Sequence, residues 1–223
     1  MRTASWPFVF VGCVELRQAL DAHAHDAREL GQRLQEVPAD SVFFHTYGYL
    51  LRHRPLTIAY GNDFARWAAV ELGDQRLAER LAIVDPLAFA GLEALRGELV
   101  TIIHDHLREA GGAAARADAP GAFHFQQSHI VEVDLGLRAT TLEEFREALA
   151  GVDASAIYLH MVEARVRRGR RAGDFGEWLR EALGLATLAD QAERIDAYMA
   201  TLERVRARLL ALVDEARESG AGC

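Results

Sequence analysis

The chain repeats itself. Phe8, Phe10, Glu29, Leu34, Val37, Val42, Phe43 and His45 recur 115 positions later as Phe123, Phe125, Glu144, Leu149, Val152, Ile157, Tyr158 and His160. Beyond a basic loop the spacing becomes 111. Asp63, Phe64, Trp67, Leu72, Gly73, Leu77, Ala78, Val84 and Asp85 then recur as Asp174, Phe175, Trp178, Leu183, Gly184, Leu188, Ala189, Ile195 and Asp196. One four-residue length change inside that loop accounts for the shift, and loops absorb such changes at least cost. A period this long excludes a solenoid, so two copies of one module are expected.

Half of the 223 residues are apolar, enough to bury a core. Leu and Ala are abundant and aromatics are only 8%, which favours helix over strand. The expected fold is therefore mainly α: two pseudo-symmetric helical modules, with short β-strands at the start of each. The first module spans 1–109. Gly111, Gly112, Pro120 and Gly121 mark a linker at 110–122. The second module spans 123–217, and 218–223 form a frayed tail. Leu16, Leu20, Ala27, Leu30 and Leu34 recur at helical spacing and predict a helix over 15–36. Thr141-Leu-Glu-Glu144 has the spacing of a capping box. Four aspartates stand at predicted helix starts as caps: Asp63, Asp85 (followed by Pro86, opening a helix as far as His106), Asp174 and Asp196.

The net charge of −8 disfavours binding to nucleic acid. No segment approaches about 18 uninterrupted apolar residues, so no membrane span is expected. Cys13 and Cys223 form neither a metal-ligand spacing nor a disulfide framework, and with no signal-peptide pattern a cytoplasmic location is expected.

The His160-x-x-Glu163-Ala-Arg165 helix, the Asp174-Phe-x-x-Trp178 element, the Thr141-Leu-Glu-Glu-Phe145 helix start and their shorter echoes in the first half carry a resemblance. Through them the chain resembles an uncharacterised bacterial and archaeal family, domain-of-unknown-function family 5752. The likeness covers most of the chain and is strongest from Phe123 to Leu210. Gly173 departs from it, standing where an asparagine is expected and where the first copy has Asn62. The resemblance implies no activity and no cofactor.

Two groups of residues are candidates for chemistry. His45 and His160 each sit on an apolar helix face, where a polar ring must find a hydrogen bond. Each is expected to satisfy an internal partner. The alternative is an enzyme that uses them, with Glu163, as acid/base groups or metal ligands, although the first copy has Gly48 where the second has Glu163. No bound metal is expected. His104-Asp105 looks like a metal-binding pair but lies away from the leucine stripe, and His23-Ala-His25 has no echo in the second copy. The second group is basic: Arg165, Arg167, Arg168, Arg170 and Arg171, with Arg52 and Arg54 in the matching place. Arginine forks suit phosphate or carboxylate, and the helix starts that follow add backbone donors. The expected function is that of an accessory or regulatory protein that binds an anionic (phosphorylated or carboxylated) metabolite or a protein partner.

Overall fold

The computed structural model describes residues 2–52, 60–111, 115–167, 173–197 and 200–220, without the side chains of Leu50, Val166 and Arg167. Helix makes up more than half of the described residues, yet the mainly α expectation is overturned by two long strands. β1 (Thr3–Ala24) and β2 (Phe123–Thr141) pair antiparallel in a two-stranded sheet. The short expected strands lie within these long ones.

Residues 15–24, expected to open a helix, are strand instead. The helical reading rested on Leu16 and Leu20, but Leu16 is 55% exposed and supports no buried stripe. Pairing with β2 supplies the backbone partners that a helix would have supplied, and tertiary pairing overrides local propensity. Pro7 is tolerated because a two-stranded sheet consists of edge strands.

The chain forms two compact units. One is Glu15–His129; the other combines Met1–Val14 with Ile130–Cys223. The sequence division near 110–122 therefore differs from the division into compact bodies. The Met1–Val14 segment belongs with the helices of the second half, because Phe8 and Phe10 are buried there.

The Glu15–His129 unit holds α1 (Ala27–Glu36), α2 (Ala39–His45), α3 (Tyr47–Arg52), α4 (Asp63–Val70), α5 (Gln75–Ala82) and α6 (Leu92–Glu109). Phe64 and Trp67 of α4 pack with Phe123 and Phe125 of β2 around His45. Arg96 of α6 donates to the carbonyls of Leu34 and Val37, which helix geometry leaves without partners at the end of α1.

The other unit holds α7 (Leu142–Gly151), α8 (Ala154–Tyr158), a π-helical turn (Leu159–Glu163), α9 (Ala164–Arg167), α10 (Asp174–Glu181), α11 (Ala186–Glu193) and α12 (Leu202–Glu218). Phe8 and Phe10 of β1 pack with Phe145 of α7 and Phe175 of α10 around His160. Arg206 of α12 donates to the Leu149 carbonyl at the end of α7. Thr141 caps α7 by accepting from Glu144 N–H, and the Glu144 carboxylate reaches back to Thr140 N–H. The capping box is thus present, one residue wider on its return side.

The aspartate caps require correction. Asn62 caps α4: its side chain accepts from Ala65 N–H and donates to the Leu81 carbonyl. Asp63 is already the first helical residue, and its carboxylate is drawn to His45 and Arg52. Asp174 likewise stands one place inside α10, behind Gly173, which has no side chain to cap with. Asp85 caps only the 3₁₀ turn Pro86–Ala88, and the longer α6 starts afresh after Gly91. Asp196 lies upstream of Thr201, whose hydroxyl caps α12.

Gly173 has an ordinary φ of −75°, so it is required by space and not by conformation. A Cβ there would lie 2.6 Å from the His160 carbonyl oxygen. Gly173→Ala is expected to cost about 1–3 kcal/mol through overpacking. Asn62→Ala is expected to cost about 1–3 kcal/mol by removing a cap and a buried acceptor's partner. Urea unfolding of the two variants and the wild type measures both; a Gly173→Ala protein as stable as wild type would show that the backbone there yields.

Candidate functional site

Each unit is built around a saturated imidazole. His45 ends α2 and is 3% exposed. Its Nε2 lies 3.0 Å from Gln126 N of β2, and its Nδ1 lies 2.9 Å from Asp63 Oδ2 of α4. A backbone N–H can only donate, so Nε2 must be the bare acceptor. The ring proton then sits on Nδ1 and is donated to Asp63. His160, in the π-helical turn and 4% exposed, repeats this: Nε2 accepts from Val11 N–H of β1 at 3.0 Å, and Nδ1 meets Asp174 Oδ2 of α10 at 2.8 Å. The indoles also match. Trp67 Nε1 donates to Gly121 O at 2.7 Å, and Trp178 Nε1 to Trp6 O at 2.9 Å.

Around this shared frame the two sites differ. At His45, Arg52 reaches the same Asp63 oxygen at 2.5 Å, the Phe44 carbonyl at 2.7 Å and Glu15 Oε1 at 3.4 Å. Its guanidinium stacks 3.7 Å over the Phe44 ring. Gly48 makes this possible, since a Cβ there would lie 2.8 Å from Arg52 Nη1 and 3.2 Å from Glu15 Oε1. The matching residue in the other unit, Glu163, is fully buried. It lines a small cavity of about 60 Å³ with Val11, Glu132, His160 and Asp174. One unit thus draws its buried carboxylate from a strand, the other from a helix.

His45 belongs to one unit, and His160 and Glu163 to the other. Each ring has both nitrogens engaged, leaving no lone pair for a metal and no acceptor for a substrate proton. Among the described residues, no group of three or more His, Cys, Asp or Glu side chains stands arranged around an ion. His104 is exposed and Asp105 pairs with Arg108, so that pair does not converge either. A third His–Asp contact, marked by no sequence pattern, joins His106 Nε2 to Asp74 Oδ2 at 2.7 Å, and the same aspartate caps α5.

Of the arginines, Arg165 donates to the Glu193 carbonyl at 2.9 Å and Arg52 is held as above. Arg167 closes α9, with its side chain outside the described set. Arg54, Arg168, Arg170 and Arg171 lie outside the described residues.

An open cleft of about 320 Å³ lies over the His45 site within the Glu15–His129 unit. Arg17, Arg52, Arg66, Asp63, Glu71 and His124 supply its charged and titratable lining. Arg17 is held by Glu15 at 2.8 Å, and Arg52 by Glu15 and Asp63. Arg66 is exposed and forms no ion pair among the described residues. Sequence reading missed Arg17 because its strand reads as helix. It missed Arg66 although that residue lies inside the Asn62-Asp-Phe-Ala-Arg-Trp67 motif.

A family of unknown function, DUF5752, matches residues 5–214. The chain belongs to that family. Among solved structures it resembles OrfY from Thermoproteus tenax, with a TM-score of 0.81 and 28% identity over 97% of this chain and 98% of that one. No curated protein matches it. Among the described residues no helix is long and apolar enough to cross a membrane.

Burial holds the His45 imidazole below its ordinary value, with Asp63 opposing and Arg52 reinforcing the shift. Protonation would also set a new N–H against the Gln126 N–H. The unfolded chain then binds more protons than the folded one once pH falls below the ordinary histidine value of about 6.5. The stability tied to this ring is present above that value and is lost as pH falls through the folded value. Urea unfolding between pH 8 and pH 5 should show this loss, and His45→Gln, which offers a donor and an acceptor but no titration, should flatten it. Equal pH slopes in the two proteins would contradict the neutral, Nδ1-protonated ring.

Proposed function

We propose that this chain is an accessory or regulatory binding protein that takes an anionic small molecule, phosphorylated or carboxylated, in the cleft over His45. The observation that carries the reading is Arg66: an exposed guanidinium without an ion pair among the described residues, lining a cleft whose other arginines are already held by carboxylates. Arginine matches carboxylate and phosphate as a two-pronged donor. Glu71 also lines the cleft and opposes a highly charged polyanion, so a ligand of low charge is favoured. The saturated imidazoles disfavour the enzyme alternative. The internal repeat belongs to this reading too. The recurrence of the His–Asp, His–strand and Trp–carbonyl contacts at matching positions supports two copies of one module, of which one carries the binding cleft.

A melting series with inorganic phosphate, sugar phosphates, nucleotides and small carboxylates at constant ionic strength tests the proposal. An anion that binds only the folded chain adds roughly 2.7 kcal/mol at 100 times its dissociation constant. Arg66→Ala should abolish that gain while changing stability without ligand by no more than about 0.5 kcal/mol. If the gain survives Arg66→Ala and is lost in the Arg167→Ala/Arg170→Ala double variant, the anion site is the arginine loop and not the cleft. If none of these anions raises the melting temperature, the cleft does not bind this class.

A further inference from the structure

The cleft over His45 holds two exposed charges of opposite sign that do not pair with each other. Arg66 lies inside α4 and Glu71 at its C-terminal cap, and both line the cleft. Among the described residues neither forms an ion pair. Helix geometry keeps them apart. Facing neighbours on a helix are three or four residues apart, whereas Arg66 and Glu71 are five apart, a rise of about 7.5 Å.

Glu71 owes its place to a glycine. A Cβ on Gly121 would lie 2.7 Å from Glu71 Oε2, so a bare backbone is what lets the carboxylate rest there. Gly121 is not among the glycines with positive φ, so space and not conformation is the reason. Its backbone is held on both sides: the N–H donates to Asp118 Oδ1 at 3.0 Å, and the carbonyl accepts from Trp67 Nε1 at 2.7 Å. The matching positions of the other unit carry none of these three groups. By the spacing of 111, Arg66 and Glu71 correspond to Glu177 and Ala182; by the spacing of 115, Gly121 corresponds to Trp6. Trp6 O accepts from Trp178 Nε1 as Gly121 O accepts from Trp67 Nε1, in line with that correspondence. The shared frame of histidine, aspartate and tryptophan therefore does not require the Arg66–Glu71–Gly121 arrangement.

Taking this cleft as the anion site, we propose that its ligand is a small zwitterion, an amino acid or an aminoalkyl phosphate. Its anionic end binds Arg66 and its primary ammonium binds Glu71. An ammonium offers three N–H donors to a carboxylate, and bonds between charged groups are the strong ones. The fixed charges favour a ligand of no net charge. Arg17, Arg52 and Arg66 stand against Glu15, Asp63 and Glu71, and a zwitterion leaves that balance intact. An anion without an amine would leave Glu71 facing like charge. The volume of about 320 Å³ is at the small end of ligand pockets. Two charge-assisted hydrogen bonds of about 2.8 Å, with a few ligand atoms between them, reach across the rise between the two side chains.

The test is calorimetric titration of the full chain with matched pairs at neutral pH and constant ionic strength: alanine against propionate, 4-aminobutyrate against butyrate, and phosphoethanolamine against ethyl phosphate. At least one amine-bearing member should bind about tenfold or more tighter than its partner, the factor that one hydrogen bond to a charged group supplies. Which pair shows the preference tells carboxylate from phosphate. Glu71→Gln should remove the preference without weakening the amine-free partner. Gly121→Ala should act the same way, because its Cβ displaces the flexible end of Glu71 at little cost in stability. Thermal melting checks that both variants are folded. Equal binding within every pair, lost in Arg66→Ala, would overturn the zwitterion and leave the anion cleft standing. A preference for the amine that survives Glu71→Gln would overturn the assignment to Glu71. Saturable binding by none of these compounds would overturn the zwitterion as well, and the melting series with inorganic phosphate and sugar phosphates then decides the anion cleft separately.

Discussion

A strand with a partner on one side only leaves its other edge N–H groups to be satisfied elsewhere, and burying such a group without a partner costs about 1–3 kcal/mol. In this protein a histidine ring solves that problem in each unit. Val11 and Gln126 donate their edge N–H groups to His160 and His45, and the opposite ring nitrogens donate to Asp174 and Asp63. One neutral ring thus ties a strand to the start of a helix while filling space among aromatic side chains. The tautomer follows from the bond pattern. So does the occupancy of the ring: Nε2 is taken up by the strand and Nδ1 by the carboxylate.

That constraint shapes the polar surroundings. Asp63 accepts from a neutral ring, so its charge is still there to be balanced, and Arg52 does so while stacked on Phe44. Arg52 needs room, and Gly48 provides it. In the other unit the side chain at the matching position is Glu163, fully buried in a π-helical turn. π-Helical turns often mark functional sites. Here the turn carries His160 and Glu163 to a cavity of only about 60 Å³, room for water-sized occupants. The open cleft lies over the other histidine, where the neighbouring charges are cationic as well as anionic.

Much of this was legible in the chain itself. The aromatic residues at matching positions (Phe64, Trp67, Phe175, Trp178) are core because large apolar side chains at helical spacing have nowhere better to go, and all are at most 4% exposed. The Thr141–Glu144 box and the satisfied histidines followed from local rules: a helix start needs acceptors, and a buried ring needs partners. The capping aspartates misled for an equally physical reason. Cap geometry is decided by which residue leaves helical φ and ψ first, and Asn62 does so before Asp63.

The sequence by itself determined the recurring pattern of buried aromatics, the places where most helices start and stop, and the requirement that His45 and His160 be satisfied internally. These depend on side-chain size, polarity and local backbone preference, which each residue carries with it. Only the tertiary structure decided that residues 15–24 are strand, that Met1–Val14 joins the unit of the later helices, and that Val11 and Gln126 complete the two histidines. The edge N–H groups of a strand are chemically identical along its length. Which of them meets a ring depends on strand pairing and packing between segments more than a hundred residues apart in β1 and β2, and no local pattern encodes that meeting.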